Sequence, residues 1–254
     1  MTERLLALVT GATAGIGREF AQQLAASGHD LILVARERGR LETTASAIRD
    51  AHRVTVSVLA ADLGTPEGCG LVEDRMADSA SPVSVLVNNA GFGIQGAFHE
   101  NDIDDEQAML DLLVAVPMRL THAALQQMVP RRTGTIINIA SVAGYLPAGT
   151  YSSAKAWLLS FSRWANAFYR DHGITVTAIA PGFVRTEFHE RMRVSTETVP
   201  DALWLRAELL VRIALRDVAR GRAVSIPTAR YKLVALVARI TPARIAARQG
   251  LRNR

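Results

Sequence analysis

The sequence predicts an α/β fold in which helices cover both faces of a parallel sheet of about seven strands. Three observations point there. Short apolar runs recur along the chain without polar alternation, as expected of strands buried on both faces. Longer stretches of helical periodicity separate those runs, which excludes a simple hairpin meander. Finally, the first run ends in a glycine-rich turn that leads straight into a helix, the opening of a doubly wound sheet.

The elements follow in order. Leu5 to Val9 is the first strand, and the helical pattern after its glycine turn continues to about Ala26. Leu31 to Val34, Val54 to Ala60, Val83 to Val87, Thr135 to Ala140 and Ile174 to Ile179 repeat the buried-strand pattern. The two longest helical patterns, about 103 to 129 and 151 to 171, belong to the second half. A short last strand is expected at Ala223 to Ile226, closed by Pro227 and followed by a tail. A length of 254 residues with no linker-like segment reads as one domain, residues 1–254, with a lid at about 183–205 and a basic tail at about 228–254.

Composition narrows the function classes. With 49% hydrophobic and 21% charged residues the chain can bury a substantial core and carries no disorder signature. The single cysteine, Cys69, excludes an intrachain disulfide, and six dispersed histidines lack metal-ligand spacing, so no metal site is expected. No export signal and no uninterrupted apolar run of spanning length is visible, which suggests a cytoplasmic protein. The net charge of +5 is uneven: residues 201–254 carry twelve basic and three acidic side chains, leaving −4 for the first 200. Without a helix-turn-helix, zinc or base-stacking signature, that basicity does not indicate nucleic-acid binding.

The chemistry-bearing motifs fall where strands end. Thr10-Gly11-Ala12-Thr13-Ala14-Gly15-Ile16-Gly17 follows the first strand. Gly11 can turn without steric cost, Gly15 admits a pyrophosphate close to the backbone, and Gly17 lets helix pack on strand. The helix amino terminus then offers unpaired amides to phosphate. At the end of the second strand, where an acid would bond both ribose hydroxyls of NAD, stand Ala35 and Arg36. A cation there suits a 2′-phosphate and hence NADP(H), with Arg38 and Arg40 as helpers. Asn88-Asn89-Ala90-Gly91 follows the fourth strand and Ser141 the fifth.

Tyr151-Ser152-Ser153-Ala154-Lys155 contains one of only two lysines in the chain. Four residues apart on a helix, phenol and ammonium share one face. A cation beside a phenol favours phenolate and is expected to pull Tyr151 below its ordinary value of about 10. That is an acid/base catalyst. Ser152-x-x-Lys155 also matches the start of a penicillin-recognising hydrolase pattern, but the other lysine, Lys232, is followed by Leu233 and supplies no second element.

Taken in order, the glycine turn, Asn-Asn-Ala-Gly, the serine, Tyr-x-x-x-Lys and Pro181-Gly182 resemble the short-chain dehydrogenase/reductase family over roughly residues 5 to 226. The resemblance implies a three-layer Rossmann fold and an NADP(H)-dependent oxidoreductase. Tyr151 would donate a proton to a carbonyl oxygen, Ser141 would bond the developing oxyanion, and Lys155 would bond the nicotinamide ribose. Asp62 and Leu63 would contact adenine; Asn89, Ala90 and Gly91 would line the ribose and phosphate region. Pro181, Gly182, Val184 and Thr186 would cover the nicotinamide. It also implies a homo-oligomer, dimer or tetramer.

The chain departs from that family's pattern in two places. Aligning Met109 to Val114 puts Leu113 where the family has a catalytic asparagine, and Ser141 precedes Tyr151 by ten residues, fewer than is usual. The shortened loop should reshape the substrate side of the pocket. Those two departures motivate an alternative reading, a cofactor-binding regulatory or scaffold protein that no longer catalyses. Against it, a binding module has no need of Ser141, Tyr151 and Lys155 together. Phe183, Phe188, Met192, Val194, Val199, Trp204 and Leu205 of the lid, with Phe92, Tyr145, Leu146 and Trp157, suggest an apolar pocket for a hydrophobic ketone, aldehyde or 3-oxoacyl chain. In the tail, Leu233, Leu236, Val237 and Ile240 recur on one helix face among Arg230, Lys232, Arg239, Arg244 and Arg248. Peripheral membrane contact is one reading of that face; packing on the chain's own body or on a second subunit is the other.

Overall fold

The computed structural model describes residues 4–94, 96–188, 200–242 and 244. Met192, Val194 and Val199 of the expected lid and Arg248 of the tail lie outside the described residues.

Seven strands form one parallel sheet: β1 (Leu6–Thr10), β2 (Asp30–Ala35), β3 (Val56–Ala60), β4 (Val83–Asn88), β5 (Gly134–Ile139), β6 (Ile174–Ile179) and β7 (Val224–Ser225). Their order is β3-β2-β1-β4-β5-β6-β7, so the winding reverses between β1 and β4. Registers such as Leu8↔Ile32, Leu8↔Leu86 and Leu86↔Ile136 align the apolar runs across the sheet. Because side chains alternate faces, each run serves two cores. Leu8, Ile32, Leu86, Ile136 and Val176 face one helical layer, while Ala7, Val9, Leu33, Val87, Ile137 and Ile179 face the other.

Among the described residues the full helices are α1 (Gly15–Ala26), α2 (Arg38–His52), α3 (Pro66–Ala77), α4 (Ile103–Leu110), α5 (Val116–Arg131), α6 (Thr150–Tyr169), α7 (Ala207–Ala219) and α8 (Ala229–Ile240). On one face α1, α2 and α7 bury Phe20, Leu24, Leu41, Ile48, Leu210 and Val211; on the other α3, α5 and α6 bury Val72, Met76, Leu120, Met128 and Ala165. Each such Val, Leu, Ile, Met or Phe side chain contributes about 1.5–3 kcal/mol on leaving water.

The long pattern expected at 103–129 is not one uniform helix. Between α4 and α5, Asp111–Ala115 is π-helical, with Val116 N–H donating to Asp111 O. The whole run from Ile103 to Arg131 is long and apolar enough by length and composition to cross a membrane. It instead lies along the sheet, burying Leu113, Leu120, Ala124 and Met128. At the end of α6 the pattern expected to reach 171 tightens into a 3₁₀ turn, Arg170–His172, and closes on Gly173 at a φ of 72°.

Candidate active site

The loops after β1, β4, β5 and β6 converge at the carboxyl edge where the winding reverses, the place where an open parallel sheet leaves a crevice. Gly11 and Gly15 adopt φ of 64° and 52°, a region that side chains with a Cβ enter at a cost. Space gives a second reason. A Cβ on Gly15 would meet Thr186 Cγ2 at 2.9 Å, so the glycine turn and Thr186 form two walls of one cradle. A Cβ on Gly17 would collide with the Asn89 side chain and Gly11 O.

The cradle is framed by a residue that sequence reasoning passed over. Thr10 Oγ1 donates to Val87 O and accepts from the backbone N–H groups of Asn89, at 2.9 Å, and Ala90, at 3.0 Å. Asn89 Nδ2 donates to Thr10 O and Gly11 O. Asn89 Nδ2, on a residue expected with Ala90 and Gly91 to line a ribose and phosphate region, thus holds the turn.

These residues fit a dinucleotide. The N-cap of α1 is Ala14, whose side chain cannot bond the first-turn amides of Gly15, Ile16 and Gly17; those donors remain for a pyrophosphate. Thr13 sits in the turn just before them. At the end of β2, Arg36 is exposed and has no ion-pair partner among the described residues, while Arg40 is tied to Glu187 at 3.1 Å. After β3, the Asp62 carboxylate accepts from Gly64 N–H at 3.0 Å, with Leu63 buried beside it.

Ser141 caps the 3₁₀ turn that follows β5: its Oγ accepts from Ala143 N–H at 3.1 Å, and the serine lies beside the Tyr151 phenol. Tyr151 lies in the first turn of α6, after Gly149, whose φ of 90° redirects the chain. Lys155, one helical turn on, is buried; its Nζ donates to Ile139 O at 2.7 Å and stands 5.7 Å from the Tyr151 ring centroid.

The Tyr151 pKa is raised, not lowered as expected. Burial pushes the phenol up to about 12, against a smaller lowering by Ser141, and burial pulls Lys155 down to about 8. Desolvation outweighs what the neighbouring groups supply to the phenol, and the Lys155 ammonium is itself bonded to Ile139 O.

Tyr151 packs among Phe92, Ile94, Met109, Leu113 and Val114, and the Phe188 ring centroid is 6.4 Å from its own. Leu113 is 1% exposed and a Cβ on Gly91 would meet its Cδ2 at 2.7 Å, so the position that carries an amide in the family's pattern is packed core. Three residues of the expected pocket serve elsewhere. Trp157 stacks on Phe161 at 4.9 Å, the Tyr145 ring lies under Arg163 and Arg239, and Leu205, bridged to Val184, packs the lid on the body. Pro181 O accepts from Val142 N–H at 2.9 Å, joining the loop after β6 to that of Ser141. A Cβ on Gly182 would strike the Tyr231 ring.

A family model described as short chain dehydrogenase matches residues 5–196. The chain belongs to the short-chain dehydrogenase family. Among proteins similar to this dehydrogenase is a very-long-chain 3-oxoacyl-CoA reductase of Anas platyrhynchos, 31% identical over 212 residues, or 80% of this chain and 67% of that protein. A short-chain dehydrogenase from Sphingobium yanoikuyae, solved in complex with NADPH, is 33% identical with a TM-score of 0.85, over 98% of this chain and 95% of that one. The bulky-bulky ketone specific alcohol dehydrogenase from Comamonas testosteroni is 32% identical with a TM-score of 0.81, over 99% and 94%. The sheet and both helical layers of this dehydrogenase are those of its solved relatives.

Proposed function

We propose that this dehydrogenase is an NADP(H)-dependent reductase of a bulky apolar ketone, aldehyde or 3-oxoacyl chain. Membership of the family makes it an NAD(P)-dependent oxidoreductase. The observation that carries the finer reading is the convergence of Ser141, Tyr151 and Lys155 beside the glycine cradle, against an apolar wall of Phe92, Ile94 and Phe188. Similarity to an NADPH complex and to a bulky-ketone dehydrogenase supports it, as does Arg36, exposed at the end of β2 and without an ion-pair partner among the described residues.

The residues divide the work as follows. NADPH, when bound, supplies the hydride for the carbonyl carbon. A phenol held near 12 keeps its proton at neutral pH and can give it to the carbonyl oxygen as negative charge develops there. Ser141 Oγ shares that oxygen and steadies the charge. Lys155, with one N–H spent on Ile139 O, keeps two donors for ribose hydroxyls and lends its cation to the phenolate left behind. The phenolate regains its proton from solvent, and Leu113 offers no amide to hold a relay water.

The test is NADPH oxidation against ketones, aldehydes and 3-oxoacyl thioesters by wild type and Tyr151→Phe, with NADPH binding followed by fluorescence. Turnover should fall about 10²–10⁴-fold in the variant with binding unchanged. Binding without turnover across bulky apolar substrates in the wild type would instead favour the non-catalytic reading, which the buried Leu113 motivates.

A further inference from the structure

α8 has two apolar faces, and the body uses one. Tyr231, Ala235 and Ala238 are 2%, 1% and 5% exposed and fix the helix to the body. At about 100° per residue, Leu233, Leu236, Val237 and Ile240 point the opposite way. Their exposures are 63%, 57%, 50% and 74%, a continuous apolar stripe in water. Arg230 borders the stripe on one side, Lys232 and Arg239 on the other. All three are exposed.

We propose that this outer face of α8 docks the enzyme onto an anionic phospholipid bilayer. Charge selects that occupant. Residues 218–254 carry nine basic side chains and no acidic one, a composition that seeks a negatively charged surface. An apolar stripe flanked by cations is the pattern of a helix lying in the plane of a lipid interface. A second copy of the chain fits poorly, because a twofold contact repeats the same patch and would set Arg230, Lys232 and Arg239 against their own kind. Docking leaves the buried face intact, so α8 keeps its hold on the body while its outer face enters lipid. The proposal concerns the surface alone and does not rest on the choice of substrate.

Co-sedimentation of the full chain with phosphatidylcholine vesicles, and with vesicles containing about 30% phosphatidylglycerol, tests it. We expect pelleting with the anionic vesicles, weakened by added salt. Leu236→Ser/Ile240→Ser should abolish it. Arg230→Gln/Lys232→Gln should weaken it on the order of tenfold or more, at about a fivefold loss per cation. In both variants circular dichroism and NADPH turnover in solution should match wild type, so loss of docking is read apart from loss of fold or catalysis. Equal pelleting with neutral vesicles, no pelleting with either, or binding indifferent to both variants would overturn the proposal. So would a concentration-dependent dimer that Leu236→Ser/Ile240→Ser dissolves, which would assign the stripe to a second copy.

Discussion

At the scale of single residues, Lys155 opposes the stability of the fold that holds it. Its pKa falls from 10.5 unfolded to about 8 folded. The unfolded chain therefore binds the extra proton between those values, and stability rises with pH across that window. Below about 8 the burial penalty is fully present. We predict that Lys155→Met raises stability at pH 7 by about 1–2 kcal/mol, net of the hydrogen bond to Ile139 O, while abolishing turnover. Denaturant unfolding and NADPH oxidation on the same samples check both halves. In the wild type, carbonyl reduction should fall as pH rises through about 8, where the cation is lost. Arg36→Ala should weaken NADPH binding at least tenfold and leave NADH binding nearly unchanged, measured by fluorescence titration. The sequence displayed Ser141, Tyr151, Lys155 and the glycines because their spacing is itself the signal. It concealed the dominance of desolvation at Tyr151, which depends on Phe92, Met109 and Leu113 arriving from other elements.

At the scale of elements, Tyr231 joins α8 to both legs of the lid. Its Oη accepts from Phe183 N–H at 2.9 Å and donates to Leu203 O at 2.6 Å. We predict that Tyr231→Phe raises KM for bulky ketones several-fold with kcat little changed, and costs about 1–2 kcal/mol of stability. A purely structural role would lower apparent kcat through lost active enzyme and leave KM unchanged, so the split between KM and kcat decides. Nothing in the sequence marked this residue, because a tyrosine at the start of a basic helix has no local pattern. Glu106 was hidden for a related reason. Within an acidic first turn it reads as solvated, yet it is 3% exposed and accepts from Asn101 Nδ2 at 2.7 Å and Thr150 Oγ1 at 2.5 Å, tying α4 to the start of α6. Asn88 and Asn138 face each other on β4 and β5, joined at 2.9 Å, and Asn138 donates onward to Ser162 of α6. Polar residues at the ends of apolar strands were legible; the chain of bonds across three elements was not.

At the scale of the whole molecule, the strand runs gave the layers and nearly all boundaries to within two residues, since a sheet buried on both faces leaves an unmistakable apolar imprint. The order of the strands was not legible, because periodicity cannot say that β1 pairs with β4. That pairing spans the widest sequence gap in the sheet, with Leu6 facing Val83, whereas β1–β2 and β2–β3 join near neighbours. Closing long loops delays such contacts. In refolding followed by pulsed hydrogen exchange, the amides of β4 that face β1 should gain protection after those of β2 and β3. The same feature matters while the chain is being synthesised. Once residues 1–80 have emerged, three strands can already assemble, but β1 is then a border with unpaired backbone groups and apolar side chains on both faces. Until Val83 to Asn88 arrives to cover it, the nascent chain carries a sticky seam through what will become its centre, and that interval is when it most needs shielding from its neighbours.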